Sequence, residues 1–189
     1  MSKLKIKRDN LPSLQKLIVL HLAKSEPQTI NETAEKIEKS YRPTWSAFKS
    51  LEKKKLIWKA DVKKYNRRDF PSFWLTGEGI ITAMFEGADM ASLLEESKRV
   101  FPDEELVHCF VEVIYANPKV VQLAYNVVKN KGTIEFVDLL TVVVADAPSE
   151  DDDTMRKLVT VLKKYPEIYE QAKILIQQTI DQLSQLIND

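Results

Sequence analysis

A single cysteine, Cys109, stands in a chain of 189 residues, so an internal disulfide is excluded and a reducing compartment is expected. Histidine is almost as scarce. His21 has no second ligand one helical turn away, and His108 adjoins Cys109 with no other cysteine to complete a zinc site. No metal or other cofactor is therefore expected. Four glycines and eight prolines leave little material for tight turns and suit long helices. Gly77 and Gly79 lack the surrounding spacing of a phosphate-cradling loop. The longest apolar run near the N-terminus, Leu17 to Ala23, is broken by His21. It is too short for a membrane span and unlike a signal peptide, so a cytoplasmic protein with no membrane partner is expected. No paired carboxylates, metal-ligand set or triad marks an active site, so no enzymatic function is expected.

The chain also lacks net charge, but only in sum. Residues 1–87 carry 18 Lys/Arg against 10 Asp/Glu, and residues 88–189 carry the reverse, 10 against 18. A basic half joined to an acidic half predicts two domains, 1–87 and 88–189, with different partners. The basic half suits a polyanion.

Most of that basic charge lies between Tyr41 and Arg68, which hold ten Lys/Arg and only two acids, Glu52 and Asp61. The order of elements around it is legible. Leu14, Leu17, Ile18 and Leu22 make a helix-period stripe from about Pro12 to Lys24. Thr29 and Glu32 form a capping box for a second helix, expected to stop near Ser40. Pro43 is expected to open a third helix, with Trp45, Phe48 and Leu51 turned inward. Its opposite side then shows Pro43, Ser46, Ala47, Ser50, Lys53 and Lys54. Small side chains on that side would let the helix sit deep in a major groove. Two strands are expected next, about 56–62 and 70–75, joined by a basic loop containing Lys63, Lys64, Arg67 and Arg68. Thr76 can cap a fourth helix that closes at Gly87.

Two segments carry a family resemblance. Arg42-Pro43-Thr44-Trp45-Ser46-Ala47-Phe48-Lys49-Ser50-Leu51-Glu52-Lys53-Lys54-Lys55-Leu56-Ile57 resembles the recognition helix and following strand of MarR-like and PadR-like transcriptional regulators. Leu75-Thr76-Gly77-Glu78-Gly79 is similar to the Leu-Thr-x-x-Gly segment that follows the wing in those families. The resemblance covers about residues 10–87. It implies a winged helix of three helices plus a β-hairpin wing, binding double-stranded DNA. It also implies sequence readout by Arg42, Thr44, Ser46, Ala47 and Ser50, with phosphates held by Lys53, Lys54, Lys64, Arg67 and Arg68. Two departures from the family pattern stand out. Ala47 and Ser50 occupy positions where a long polar group is common, and Lys55 replaces the usual turn glycine.

Beyond Met90 the pattern is helical throughout, giving a mainly α protein with an acidic all-helical second domain. Helices are expected near 90–100, 103–116, 118–131, 134–146, 151–164 and 166–187. Asp103, Val111, Val113, Pro118 and Ala124 recur 48 positions later as Asp151, Val159, Val161, Pro166 and Ala172, a faint internal echo. The acidic run Glu150 to Asp153 suits a helix N-terminus. In the last helix Ala172, Ile176, Thr179, Leu183 and Leu186 form a heptad-like seam. That seam suits a homodimer contact, and Ile176, Leu183 and Leu186 are its candidate residues. The alternative function is a protein-interaction module, in which the acidic helical half docks a protein partner.

Overall fold

The computed structural model describes residues 11–116, 118–145 and 153–188. It is mainly α, with one small antiparallel sheet. The elements run α1 (Ser13–Leu22), β1 (Gln28–Thr29), α2 (Ile30–Lys36), α3 (Tyr41–Lys53), β2 (Ile57–Tyr65), β3 (Arg68–Leu75) and α4 (Gly77–Phe85). Six helices follow: α5 (Met90–Val100), α6 (Glu105–Ala116), α7 (Pro118–Lys131), α8 (Phe136–Ala145), α9 (Asp153–Leu162) and α10 (Pro166–Asn188). The first ten residues, with Lys3, Lys5, Lys7 and Arg8, and the acidic run from Glu150 to Asp152 lie outside the described residues.

Short polar groups set the starts of α2 and α4. The Thr29 hydroxyl accepts the Glu32 N–H, and the Glu32 carboxylate accepts the Thr29 N–H at 2.7 Å, which completes the expected capping box. Thr76 caps α4 by accepting the Gly79 N–H. Helix α3 starts at Tyr41, two residues earlier than expected. Arg42 is helical although a proline follows it. Pro43 falls in the first turn, where its missing N–H leaves no hydrogen bond unmade.

Three consecutive helix ends share one device. After α2, α3 and α4 the chain turns through a residue of positive φ: Glu38 (55°), Lys55 (58°) and Gly87 (92°). In each case the next residue's N–H reaches back five positions, as Lys39 to Ala34, Leu56 to Leu51 and Ala88 to Ala83. These are Schellman closures, and only the third uses glycine. Lys55 thus does the work of the missing turn glycine in a left-handed conformation. Helix α2 closes at Lys36, earlier than Ser40, because Glu38 turns the chain out.

The sheet has the order β1-β3-β2. The two-residue β1 was not expected; it pairs Gln28 with Phe73 and Thr29 with Ser72. The strands β2 and β3 run much further than the sequence pattern indicated. Lys63 pairs with Phe70, Lys64 with Asp69 and Tyr65 with Arg68, so the expected loop is mostly ladder. Only Asn66 and Arg67 form the turn, with φ of 49° and 64°. Two positive-φ residues are what a two-residue type I′ hairpin needs, because its twist matches that of the strands. The register steps from Lys59–Phe73 to Asp61–Ser72, a bulge at Ala60 that breaks the expected alternation. Ile57 and Leu56 are both buried, and Trp58 and Val62 are exposed.

One apolar cluster runs from Ile18, Val19 and Leu22 of α1 through Phe48, Leu51, Trp74 and Leu75 to Leu93, Phe110, Ala124, Val143 and Ala172. Leu17, expected inside, is exposed, and Val19 takes the inner position. The expected division at residue 87 falls at the α4 turn, and the cluster continues across it. Phe101 packs edge-on to Trp74 at 5.7 Å and stacks on Trp58 at 6.1 Å. Phe85 stacks on Tyr125 at 3.8 Å. Glu78 accepts hydrogen bonds from the Thr133 hydroxyl and the Ile134 N–H. Helices α7 and α10 each open on a proline, Pro118 and Pro166, and both Ala124 and Ala172 are buried, in step with the sequence echo. Val111 and Val159 differ, the first buried and the second exposed.

Candidate nucleic-acid interface

Helix α3 decides which residues a ligand could meet. Its buried face is Thr44, Ala47, Phe48 and Leu51, spaced as one helical stripe. This corrects the expected orientation. Thr44 is fully buried, with its hydroxyl donating to the Ser40 carbonyl at 2.9 Å, and Ala47 is in the core. Neither can read a base. Trp45, expected inside, is 45 % exposed. The helix is rotated because small residues, rather than the largest one, fit the space against α1 and α2.

The outward stripe is Arg42, Ser46, Lys49 and Lys53, within about 60° of one another on the helical wheel. Beside it runs a second ridge with Tyr41, Trp45 and Glu52. Lys49 donates to Glu52 at 2.9 Å, and Lys59 of β2 lies 3.9 Å from the same carboxylate. Ser50 and Lys54 face another way. Gln15 of α1 donates to the Ser50 hydroxyl at 3.0 Å and accepts from the Lys54 ammonium at 2.8 Å. Both are held against α1, off the outward stripe. The structure therefore brings Arg42, Ser46 and Lys53 together, buries Thr44 and Ala47, and sets Ser50 and Lys54 aside.

Sequence reasoning left Lys49, Tyr41 and Trp45 out of the site. A usable signal existed. The positions 44, 47, 48 and 51 follow the broad spacing of a buried helix face better than the strict three-residue repeat 45, 48, 51, which drifts around the helix.

The hairpin supplies the other cations. Lys64, Arg67 and Arg68 are exposed at its far end, and none has an ion-pair partner among the described residues. Lys63 behaves differently. Its ammonium lies 3.1 Å from Glu32 and 3.5 Å from Glu26, so it ties the hairpin to α2. The Tyr65 hydroxyl donates to the same Glu32 carboxylate at 2.6 Å. Burial pushes the Glu32 carboxyl up. The Tyr65 hydroxyl, the Thr29 N–H and the Lys63 ammonium outweigh it and hold the group at about 2. Glu32 thus caps α2 and anchors the hairpin together.

Among the described residues no group of three or more His, Cys, Asp or Glu could hold a metal, and no helix is long and apolar enough to cross a membrane. Cys109 is buried. His21 is half-buried in α1, where burial first and then Lys24 and Lys36 push its imidazole down from the usual value. In α10, Ala172 is buried and Ile174 and Ile180 are exposed, while the side chains of Ile176, Leu183 and Leu186 lie outside the described residues.

Comparison of the chain with models of protein families, with curated proteins and with solved structures gives no match.

Proposed function

We propose that this protein binds double-stranded DNA and acts as a transcriptional regulator of winged-helix type. In this reading α3 enters a major groove and the β2–β3 hairpin lies along the neighbouring backbone. The observation that carries it is a set of five exposed cations, Arg42 and Lys53 on the α3 stripe and Lys64, Arg67 and Arg68 on the hairpin. None is in an ion pair among the described residues. Fixed cations on a protruding helix and hairpin displace counterions from phosphates. The hairpin is braced by Glu32, which limits the ordering needed on binding. No covalent chemistry is involved and no cofactor is invoked.

The acidic helical half faces away from DNA in this scheme and carries the self-association surface. A homodimer through the α10 seam, including Ile176, Leu183 and Leu186, would set two α3 helices on a two-fold site, about one DNA turn or a multiple apart. The setting is the cytoplasm.

A second reading, docking of a protein partner, has one observation in its favour. Tyr41, Arg42 and Trp45 share the exposed side of α3, and these residue types are over-represented at protein-binding hot spots. The variant Arg67→Glu/Arg68→Glu separates the two. Anisotropy titration on duplex DNA should show binding lost with the fold intact. Undiminished duplex binding by that variant would refute the proposed hairpin contact.

A further inference from the structure

The outward side of α3 is divided along its length. Its first turns present Tyr41, Arg42, Trp45 and Ser46, and its last turns present Lys49 and Lys53. Tyr41 and Trp45 are separated by one helical turn and are 51 % and 45 % exposed. An indole and a phenol, each about half exposed on an otherwise polar helix face, stand outside the apolar cluster. Both rings stand on a helix whose opposite face is held in the core by Phe48 and Leu51.

What can two exposed aromatic rings recognise in DNA? Base edges in the major groove offer one apolar group, the C5-methyl of thymine. The N-terminal part of a recognition helix is the part that lies against base edges. Glu52 shares the ridge of Tyr41 and Trp45 and is bound to Lys49. A carboxylate on that ridge disfavours phosphate and turns the aromatic edge toward bases. Stacking on unpaired bases is the other use of exposed rings. It favours a groove that tracks a single strand, and a convex helix flanked by cations offers none.

We infer that Trp45, supported by Tyr41, reads thymine methyl groups in the major groove and gives the protein a preference for A·T-rich duplex. This inference rests on the duplex-DNA reading of α3 and names the base class that it recognises. It relocates specificity away from Thr44, Ala47 and Ser50.

The test uses the full chain and two labelled duplexes of alternating sequence, dA·dT and dA·dU, which differ only in the methyl group. The wild-type chain should bind dA·dT about fourfold more tightly, roughly what burial of one methyl group contributes. Trp45→Ala should bind both duplexes alike, with a salt dependence unchanged from wild type. Trp45→Phe should keep part of the preference. Equal binding of the two duplexes by the wild-type chain, with a steep salt dependence, would overturn the thymine inference and leave duplex binding standing. Absence of salt-dependent binding to either duplex would overturn both. Tighter binding to single-stranded dT than to the duplex would overturn the inference in favour of ring stacking.

Discussion

Four residues carry conformational or electrostatic constraints that substitution can measure. Lys55 sits at φ 58° in the closure of α3, a region that costs a side-chain-bearing residue about 1 kcal/mol relative to glycine. Lys55→Gly should therefore stabilise the protein by about that amount in urea denaturation, and a loss of stability would contradict the strain. Gly79 is the opposite case. A Cβ there would stand 1.9 Å from the Leu56 carbonyl oxygen, a backbone atom that also accepts the Thr76 N–H. Gly79→Ala should cost about 3 kcal/mol or more, because α4 must move off the start of β2. Glu86 is buried against α1, where it accepts the Leu11 N–H and pairs with Lys16 at 2.8 Å. Glu86→Ala should cost about 2–3 kcal/mol, the range for losing hydrogen bonds to a charged group. Glu32 has a pH signature. Its folded-state value of about 2 lies below the ordinary 4.5, so its contribution is complete above pH 4.5 and disappears as pH falls toward 2. After allowance for its partial exposure, the contribution is on the order of 1–2 kcal/mol. Glu32→Gln should flatten the acid limb of a stability-against-pH curve, and an unchanged limb would remove Glu32 from the account.

The helix–hairpin unit from α3 to β3 was partly legible in the sequence. Capping signals placed α2 and α4 because Thr29, Glu32 and Thr76 act through local hydrogen bonds. The rotation of α3 was not legible, since it depends on which side chains fit against α1 and α2. Thr44 is polar and Ala47 is small, and nothing local marks them as core. The hairpin is longer than its sequence pattern indicates because a run of Lys and Arg resembles a loop, yet exposed strands tolerate charge well. The short β1 was invisible because two residues carry no period. The rotation has a measurable consequence for binding. Arg42→Ala should weaken duplex binding about tenfold, whereas Lys54→Ala, held by Gln15, should leave it within about twofold. The reverse order would contradict the rotation of α3.

At the scale of the whole molecule, the charge division into a basic and an acidic half coexists with one apolar core. Phe101 wedged against Trp58 and Trp74, and Phe85 stacked on Tyr125, join residues on either side of Gly87. Tryptophan fluorescence and far-UV circular dichroism should therefore report coincident thermal transitions, since Trp45, Trp58 and Trp74 lie only in the basic half. Separate transitions would show that the halves fold apart. The helical half was the easiest part to read, because prolines and apolar periods mark its boundaries. Its function was the least legible, because among the described residues no metal-ligating cluster in it points to a ligand.

The central claim is that five exposed cations of α3 and the hairpin neutralise DNA phosphates. Titrating the full chain against duplex DNA across a range of salt concentrations tests it most directly. The account predicts that log Kobs falls with log salt at a slope of roughly −4 to −5, and that Arg67→Glu/Arg68→Glu makes it shallower by about 2. A slope near zero for the wild-type chain, or one that the double variant does not change, would contradict it.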